Sequence, residues 1–388
     1  MAVAVLSPPP ALAVSVDVTA VPDEPAGAGR YTVDLVGALA GRADLRLTLV
    51  ARSHDAGRWT RMAPAALVRA AAPRPRPLRL AWEQVGLPRL LAGAGVAVHH
   101  GPHYTMPERA HLPRVVTVHD LTFFDHPEWH ERAKVPFFRR AIRVAAARAD
   151  ALVCVSQATA DRLQALLSPM AAVFVVPHGV DHGRFTPEEE TIGADRARLE
   201  LIGLRQPYVA FVGNPQPRKG VDVLVRAFDR MCDSVDGLVL VLAGAHGWGE
   251  ARIAAELSAM RHPDRVVRPG YLPDATVAAL LRRAAAVAYP SLAEGFGLPV
   301  LEALACGAPV VTTTGTPMSS LAGEAALLVP PGDDVALAEA LRHLVTGPDP
   351  ERRRRGIALA AGYTWEASAA AHVEVYRRAA EGGGQRPR

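Results

Sequence analysis

Short runs of β-branched and other apolar residues alternate along the chain with stretches whose apolar positions recur every three to four residues. That alternation predicts parallel sheets with helical crossovers. In the first half the strand-like runs are Ala13–Val18, Leu45–Ala51, Val96–His99, Arg114–Val118, Ala151–Val155 and Val173–Val176. In the second half they are Tyr208–Val212, Leu238–Ala243, Val266–Arg268, Val287–Tyr289, Val310–Thr312 and Leu327–Val329. Gly29–Ala40 reads as a helix, because Tyr31, Leu35, Val36 and Leu39 fall on one face. A second helix carries Val221, Leu224, Val225 and Phe228 at i, i+3, i+4 and i+7. A third, after Trp365, offers Ala370, Val373, Val375 and Tyr376 as its packed face.

The strand pattern thus occurs twice, and the change falls near Pro177–Arg205, where Pro, Gly and the acidic run Glu188-Glu189-Glu190 gather. The expected fold class is α/β: two doubly wound, Rossmann-like domains facing across a cleft. The boundaries are read as 1–190 and 191–365, followed by a helix and tail over 366–388. In such sheets ligands sit beyond the carboxyl ends of the strands, so chemistry is sought in the loops that follow strands.

A length of 388 residues suits two domains, and 49 % apolar with 21 % charged residues excludes wholesale disorder. A net charge of +4 lacks the basic excess of a dedicated nucleic-acid binder. Basic clusters at Arg74-Pro75-Arg76, at Arg139-Arg140 with Arg143, and at Arg352–Arg355 read as solvated faces, or as attraction to anionic headgroups. Cys154, Cys232 and Cys306 are odd in number and far apart, which fits a reducing cytoplasm and no disulfide framework. No basic leader region precedes the first apolar stretch, and Pro8-Pro9-Pro10 breaks that stretch, so no signal peptide is expected. The uncharged run Ala303–Gly323 holds Pro309 and Pro317 and makes a poor membrane span. Almost all basic residues are Arg: the chain has two lysines, Lys134 and Lys219, and one asparagine, Asn214. Asn214 and Lys219 nevertheless share the segment Gly213–Gly220.

That segment follows the strand Tyr208–Val212. Gly213 lets the chain turn, Gly220 opens a helix, and Arg218 and Lys219 precede the helix N-terminus. A helix N-terminus with an Arg–Lys pair suits phosphate oxygens, although a solvated turn has the same look. The segment Glu294-Gly295-Phe296-Gly297-Leu298-Pro299-Val300-Leu301-Glu302 follows the strand at Val287–Tyr289. Pro299 fits a first helical turn, and Gly307 with Pro309 marks its end. Gly295 and Gly297 admit a ligand close to the backbone, and Glu294 and Glu302 can each accept hydroxyl hydrogen bonds. The helix dipole alone accounts for Glu302 but leaves the Gly-Phe-Gly loop unexplained. His119 ends an apolar strand in Val118-His119-Asp120, where a structural and a functional role weigh equally. Gly27-Ala28-Gly29 opens the first helix. There is no Asp-x-Asp pair, and His99, His100 and His103 are read as a loop without a metal. No Gly-x-Ser-x-Gly elbow or Walker A loop occurs.

From about Val14 to Trp365 these features resemble the family 4 retaining glycosyltransferases of GT-B fold. The most specific part is Glu294–Glu302, which has the family's Glu, seven residues, Glu spacing and its Gly-Phe-Gly centre. Supporting segments are Gly27–Tyr31, Val118–Asp120, Val155–Gln157, Pro177–Asp181, Pro217–Gly220, Ala243-Gly244, Gly247-Trp248 and Gly270–Pro273. The resemblance implies transfer of a sugar from a nucleotide sugar with retention. The N-terminal domain would bind the acceptor and the C-terminal domain the donor, and the last helix would return to the N-terminal domain. Arg218 and Lys219 would hold the diphosphate, with Gly29 beneath it. Glu302 would hold the ribose, and Tyr271-Leu272 would lie beside the base. Glu294 and the backbone of Phe296–Leu298 would hold the sugar, and His119 would touch one of its hydroxyls. Gly213, Asn214, Gly244, Gly295 and Gly297 complete the expected donor contacts. No metal or cofactor is expected, since Arg218, Lys219 and helix dipoles meet the leaving charge.

Three positions depart from the family: Asn214 after the loop glycine, Ser320 where relatives carry Glu, and His178 where Asn is common. The overall look is of mannosyltransferase-type members, so GDP-mannose is the first donor expected and a UDP- or dTDP-sugar the alternative. A sugar-nucleotide epimerase, a phosphorylase and a non-catalytic sugar-nucleotide-binding protein are the competing readings. A phosphorylase with a pyridoxal lysine is disfavoured, because only Lys134 would be left for it. The acceptor is read as a sugar, a lipid-linked group or a small molecule, with no nucleic acid. The expected location is cytoplasmic, with peripheral contact at the inner membrane face left open. For that contact Trp129, Phe137 and Phe138 would supply the apolar patch.

Overall fold

A computed structural model describes residues 11–187, 192–245 and 250–383. Contacts divide the chain into two compact units. One comprises Met1–Leu121, Pro136–Pro177 and Trp365–Arg388, and the other comprises Thr122–Val135 and His178–Thr364. The boundary expected between residues 190 and 191, the run Glu188–Glu190, Gly247-Trp248 and Pro8–Pro10 lie outside the described residues.

The first unit is built on seven strands: β1 (Leu12–Asp17), β2 (Leu45–Arg52), β3 (Leu67–Ala72), β4 (Val98–Gly101), β5 (Arg114–Val118), β6 (Ala151–Cys154) and β7 (Ala172–Val175). All pair in parallel in the order β3-β2-β1-β4-β5-β6-β7. Strand β3 is absent from the sequence reading. It is an edge strand of sequence LVRAAA, nearly half exposed at Leu67, and main-chain pairing to β2 rather than a buried apolar run creates it. Strand β4 starts later than expected and carries His99 and His100 into the sheet interior, both fully buried.

Helix Ala28–Ala40 buries Tyr31, Leu35, Val36 and Leu39 on one face, as its periodicity requires. The last helix, Trp365–Gly383, packs on that helix and on β4, β5 and β6. Its buried face is Trp365, Ala369, His372, Val373, Val375, Tyr376 and Ala379. Ala370, expected on that face, is exposed. It stands roughly 100° round the helix from Ala369, beyond the packed stripe.

The second unit has six parallel strands: β8 (Tyr208–Val212), β9 (Val239–Ala243), β10 (Val266–Gly270), β11 (Ala286–Tyr289), β12 (Val310–Thr313) and β13 (Ala326–Val329). Their order is β10-β9-β8-β11-β12-β13. The order reverses direction between β8 and β11, and this switch point opens a crevice at the strands' carboxyl ends. Helix Ile192–Glu200 occupies part of the expected linker. Its Asp195, 1 % exposed, accepts from Arg282 Nε at 2.7 Å and so ties it to helix Asp274–Arg283.

Among the described residues no helix is long and apolar enough to cross a membrane. Phe138, expected in an exposed apolar patch, is buried against His103 and Tyr104.

Candidate functional site

Two loops flank the switch point of the second unit, one after β8 and one after β11. Gly213 continues the ladder past β8, donating its N–H to the Ala243 carbonyl at 2.8 Å. Asn214 follows, half-buried. A single 3₁₀ turn over Pro217–Lys219 presents Arg218 and Lys219, and helix Val221–Met231 begins after Gly220. Gly220 has φ +63, and a Cβ there would lie 2.1 Å from the Pro290 carbonyl oxygen. Only glycine lets the β8 loop cross the β11 loop so closely. Leu292 N–H donates to the Arg218 carbonyl at 2.7 Å and stitches the two loops together.

Glu294 lies at that crossing. Its Oε2 accepts from Arg218 Nη1 at 2.6 Å, and its Oε1 accepts from Lys219 Nζ and from Ser291 Oγ at 3.2 Å. Arg218 is held in turn, donating to Gln216 Oε1 at 3.0 Å and to the Ala293 carbonyl at 3.2 Å. The Glu294 side chain is only 9 % exposed. Burial pushes its carboxyl up, but Arg218 and Lys219 outweigh burial and hold it down at about 2. The cluster therefore carries a net positive charge, held in fixed geometry at the mouth of the crevice.

The Gly295–Gly297 turn leads into helix Leu298–Ala305. Gly297 has φ +110, and a Cβ there would meet Met318 Cγ at 2.5 Å. Phe296 is buried edge-on to His178, with ring centroids 4.7 Å apart. Leu298 and Glu302 are half-buried on the helix. Burial, with the Glu302 charge as a lesser cause, pushes the hydroxyl of Tyr289, at the end of β11, far up. Gly244 extends β9, donating its N–H to the Gly270 carbonyl at 2.8 Å. Beyond β10, Tyr271 is 41 % exposed while Leu272 is buried.

The remaining candidates, Gly29 and His119, belong to the first unit. Gly29 sits in the first helical turn with its N–H on the Ala26 carbonyl, and Pro22 crowds the space a Cβ would take at 3.2 Å. His119 follows β5 and is 9 % exposed. Its Nε2 lies 2.8 Å from the Pro102 carbonyl, which can only accept, so the ring donates there. Burial lowers its pKa, against the pull of Pro102 and Asp120. The neutral ring therefore has Nδ1 as its lone-pair nitrogen. Tyr31, Tyr104 and His103 surround it.

The structure thus brings Arg218, Lys219 and Glu294 together where the β8 and β11 loops cross, with Gly213 and Asn214 earlier on the first loop and Gly295–Glu302 following on the second. Sequence reasoning missed Ser291 and Gln216, which position the charged side chains, and the partners that surround His119. A serine three residues before the acidic residue was the available signal for the first. Among the described residues the one group of metal-ligand type is Asp23, His54 and Asp55. There Arg52 already bonds both aspartates.

Residues 25–184 match the family described as Glycosyltransferase Family 4, and residues 206–347 match Glycosyl transferases group 1. The chain belongs to the family 4 glycosyltransferases. Similar proteins include O-antigen chain mannosyltransferase B of Escherichia coli, 28 % identical over 72 % of this chain and 74 % of that protein. D-inositol 3-phosphate glycosyltransferase of Actinosynnema mirum is 36 % identical over 60 % of this chain, which spans 58 % of that protein's length. Among solved structures, sucrose-phosphate synthase of Thermosynechococcus elongatus superposes with a TM-score of 0.79 at 22 % identity, covering 94 % of this chain and 98 % of that one. Anabaena HepE in complex with UDP and glucose gives 0.72 at 17 % identity, covering 94 % and 99 %. The fold of this glycosyltransferase is GT-B.

Proposed function

We propose that the protein moves a hexose from a nucleoside-diphosphate sugar to an acceptor hydroxyl, with retention and without a divalent ion. The observation that carries this reading is the Arg218–Glu294–Lys219 cluster at the switch-point crevice. In the transfer, the bond from the anomeric carbon to the diphosphate oxygen breaks, and its electrons leave with the diphosphate. Arg218 and Lys219 stabilise that charge from fixed positions. The acceptor oxygen bonds to the same face of the anomeric carbon and passes its proton to the leaving phosphate oxygen. Glu294 and the Gly295–Leu298 backbone hold the sugar, Glu302 holds the ribose, and Tyr271-Leu272 flank the base. Family resemblance assigns His119 a hydroxyl of the donor sugar and Gly29 the diphosphate.

Mannose from GDP-mannose is the first donor to test, and the likeness to an O-antigen chain mannosyltransferase supports it. UDP-sugars come second, supported by the fold shared with HepE, whose structure holds UDP and glucose. The acceptor is a sugar, a lipid-linked group or a small molecule.

The test is a panel of nucleotide sugars with purified protein, with and without EDTA, reading free nucleotide. One donor should be consumed slowly in EDTA, and Glu294→Ala should lose at least about a hundredfold of that rate. Turnover that requires added metal would overturn the metal-free mechanism. Full turnover in Glu294→Ala would overturn the site.

A further inference from the structure

A chain of polar side chains runs through the interior of the first unit. Tyr376 and His372 come from the last helix, His100 from β4, Thr117 from β5, and Tyr31 from helix Ala28–Ala40. All five are completely buried. Tyr376 Oη lies 2.8 Å from His100 Nδ1, and His100 Nε2 lies 2.8 Å from Thr117 Oγ1. Thr117 Oγ1 is 2.9 Å from Tyr31 Oη, which is 2.8 Å from His372 Nε2. His372 Nδ1 ends the chain 2.8 Å from the Ser368 carbonyl.

Chemistry gives these bonds a single direction. The Ser368 carbonyl can only accept, so His372 Nδ1 carries a proton. Burial holds the His372 pKa at about 4 and that of His100 well below the usual value, so both rings are neutral. Neutral His372 must then accept at Nε2, and Tyr31 donates to it. The Tyr31 oxygen accepts from Thr117, Thr117 accepts from His100 Nε2–H, and His100 Nδ1 accepts from Tyr376. Every hydroxyl in the chain donates once and accepts at most once.

Burying five polar side chains gains little over apolar packing. What the hydroxyls add is orientation: they hold Tyr31 in one rotamer. The Tyr31 ring meets the His119 ring edge to face, with centroids 5.0 Å apart and planes at 82°. His119 is gripped on another side by the Pro102 carbonyl.

We propose that this chain positions His119: the last helix holds Tyr31 through His372 and Tyr376, and the Tyr31 ring holds the imidazole in the rotamer that keeps Nε2–H on the Pro102 carbonyl, which in turn fixes the tautomer that sugar transfer uses. Tyr31, His100, His372 and Tyr376 are positioning residues and touch no substrate. The inference rests on the reading of His119 as a contact to the donor sugar.

Two readouts separate the inference from that reading. In full-length protein labelled with [15N]histidine, the wild-type His119 ring shows the Nε2–H tautomer. In Tyr31→Phe and His372→Leu its ring signals move toward a tautomer mixture, while those of His178 in the other unit stay in place. With the donor found above, kcat falls at least about tenfold, the scale of a misplaced reactive group, and the donor KM changes far less. His372→Gln, whose amide oxygen can accept the Tyr31 proton, recovers most of the loss. Unchanged His119 signals in both variants overturn the positioning role, whatever the activity. Moved signals with full kcat overturn instead the assignment of His119 to the donor sugar. If Tyr31→Phe does not fold, the two His372 variants decide: Gln no better than Leu overturns the inference.

Discussion

Glu294 is a carboxylate buried between a guanidinium and an ammonium, and those two cations decide its protonation. Its carboxyl sits at about 2 in the folded protein, against 4.5 for a free glutamate. A depressed carboxyl stabilises the fold above its unfolded pKa, and that contribution is lost as pH falls through the folded value. The stability difference between wild type and Glu294→Gln should therefore be full above about pH 5 and shrink by about 2–3 kcal/mol toward pH 2. Urea melts of both proteins across that range check it, and a constant difference would mean the ion pairs do not hold the carboxylate. The Glu–x7–Glu spacing marked this residue in the sequence. Its partners lie 76 and 75 residues earlier, and no local pattern joins them to it.

At the scale of the element, the two switch-point loops depend on their glycines. Gly220 combines φ +63 with a backbone oxygen 2.1 Å from any Cβ, so Gly220→Ala should cost about 2 kcal/mol or more. Gly270 has φ +76 and open space around its Cβ position. Gly270→Ala should thus cost only the backbone strain, about 1–2 kcal/mol. Denaturant midpoints of the two variants check the order, and equal losses would mean that Pro290 yields. Periodicity located most strands and the packed face of helix Ala28–Ala40, because a half-buried element repeats its pattern in sequence. It failed at β3, whose existence rests on main-chain pairing with β2. It also failed at Phe138, where an apolar residue beside arginines turned inward to meet His103 and Tyr104. The arginine clusters themselves find acidic neighbours: Arg140 bonds Glu108, and Arg352, Arg354 and Arg355 bond Asp349, Glu351 and Glu324.

For the whole molecule, the three cysteines are natural probes. Cys154 lies in the first unit, and Cys232 and Cys306 lie in the second. All three are buried free thiols. Burial pushes Cys154 and Cys306 up to about 12 and raises Cys232 as well. The native protein should react with a thiol reagent at pH 8 at least about a hundredfold more slowly than the unfolded chain, since only the thiolate attacks. Denatured protein should release all three. Fast labelling of one thiol under native conditions would show that its unit opens locally. Labelling followed through a denaturant series reports each unit separately.

The sequence alone determined the family and the architecture. Alternating strands and amphipathic helices can bury their apolar faces only as layered parallel sheets, and the glycine-rich loops with their charged residues are local features. It also singled out Arg218-Lys219 and Glu294–Glu302 as candidate site segments, because each is contiguous. Only the tertiary structure decided that Arg218 and Lys219 close on Glu294. It alone decided that Ser291 completes the cluster, and that Tyr31, His100 and His372 join in one hydrogen-bonded chain. Those contacts span up to 341 residues between Tyr31 and His372. They exist because strand order and helix packing bring distant segments together, and no period along the chain encodes such a meeting.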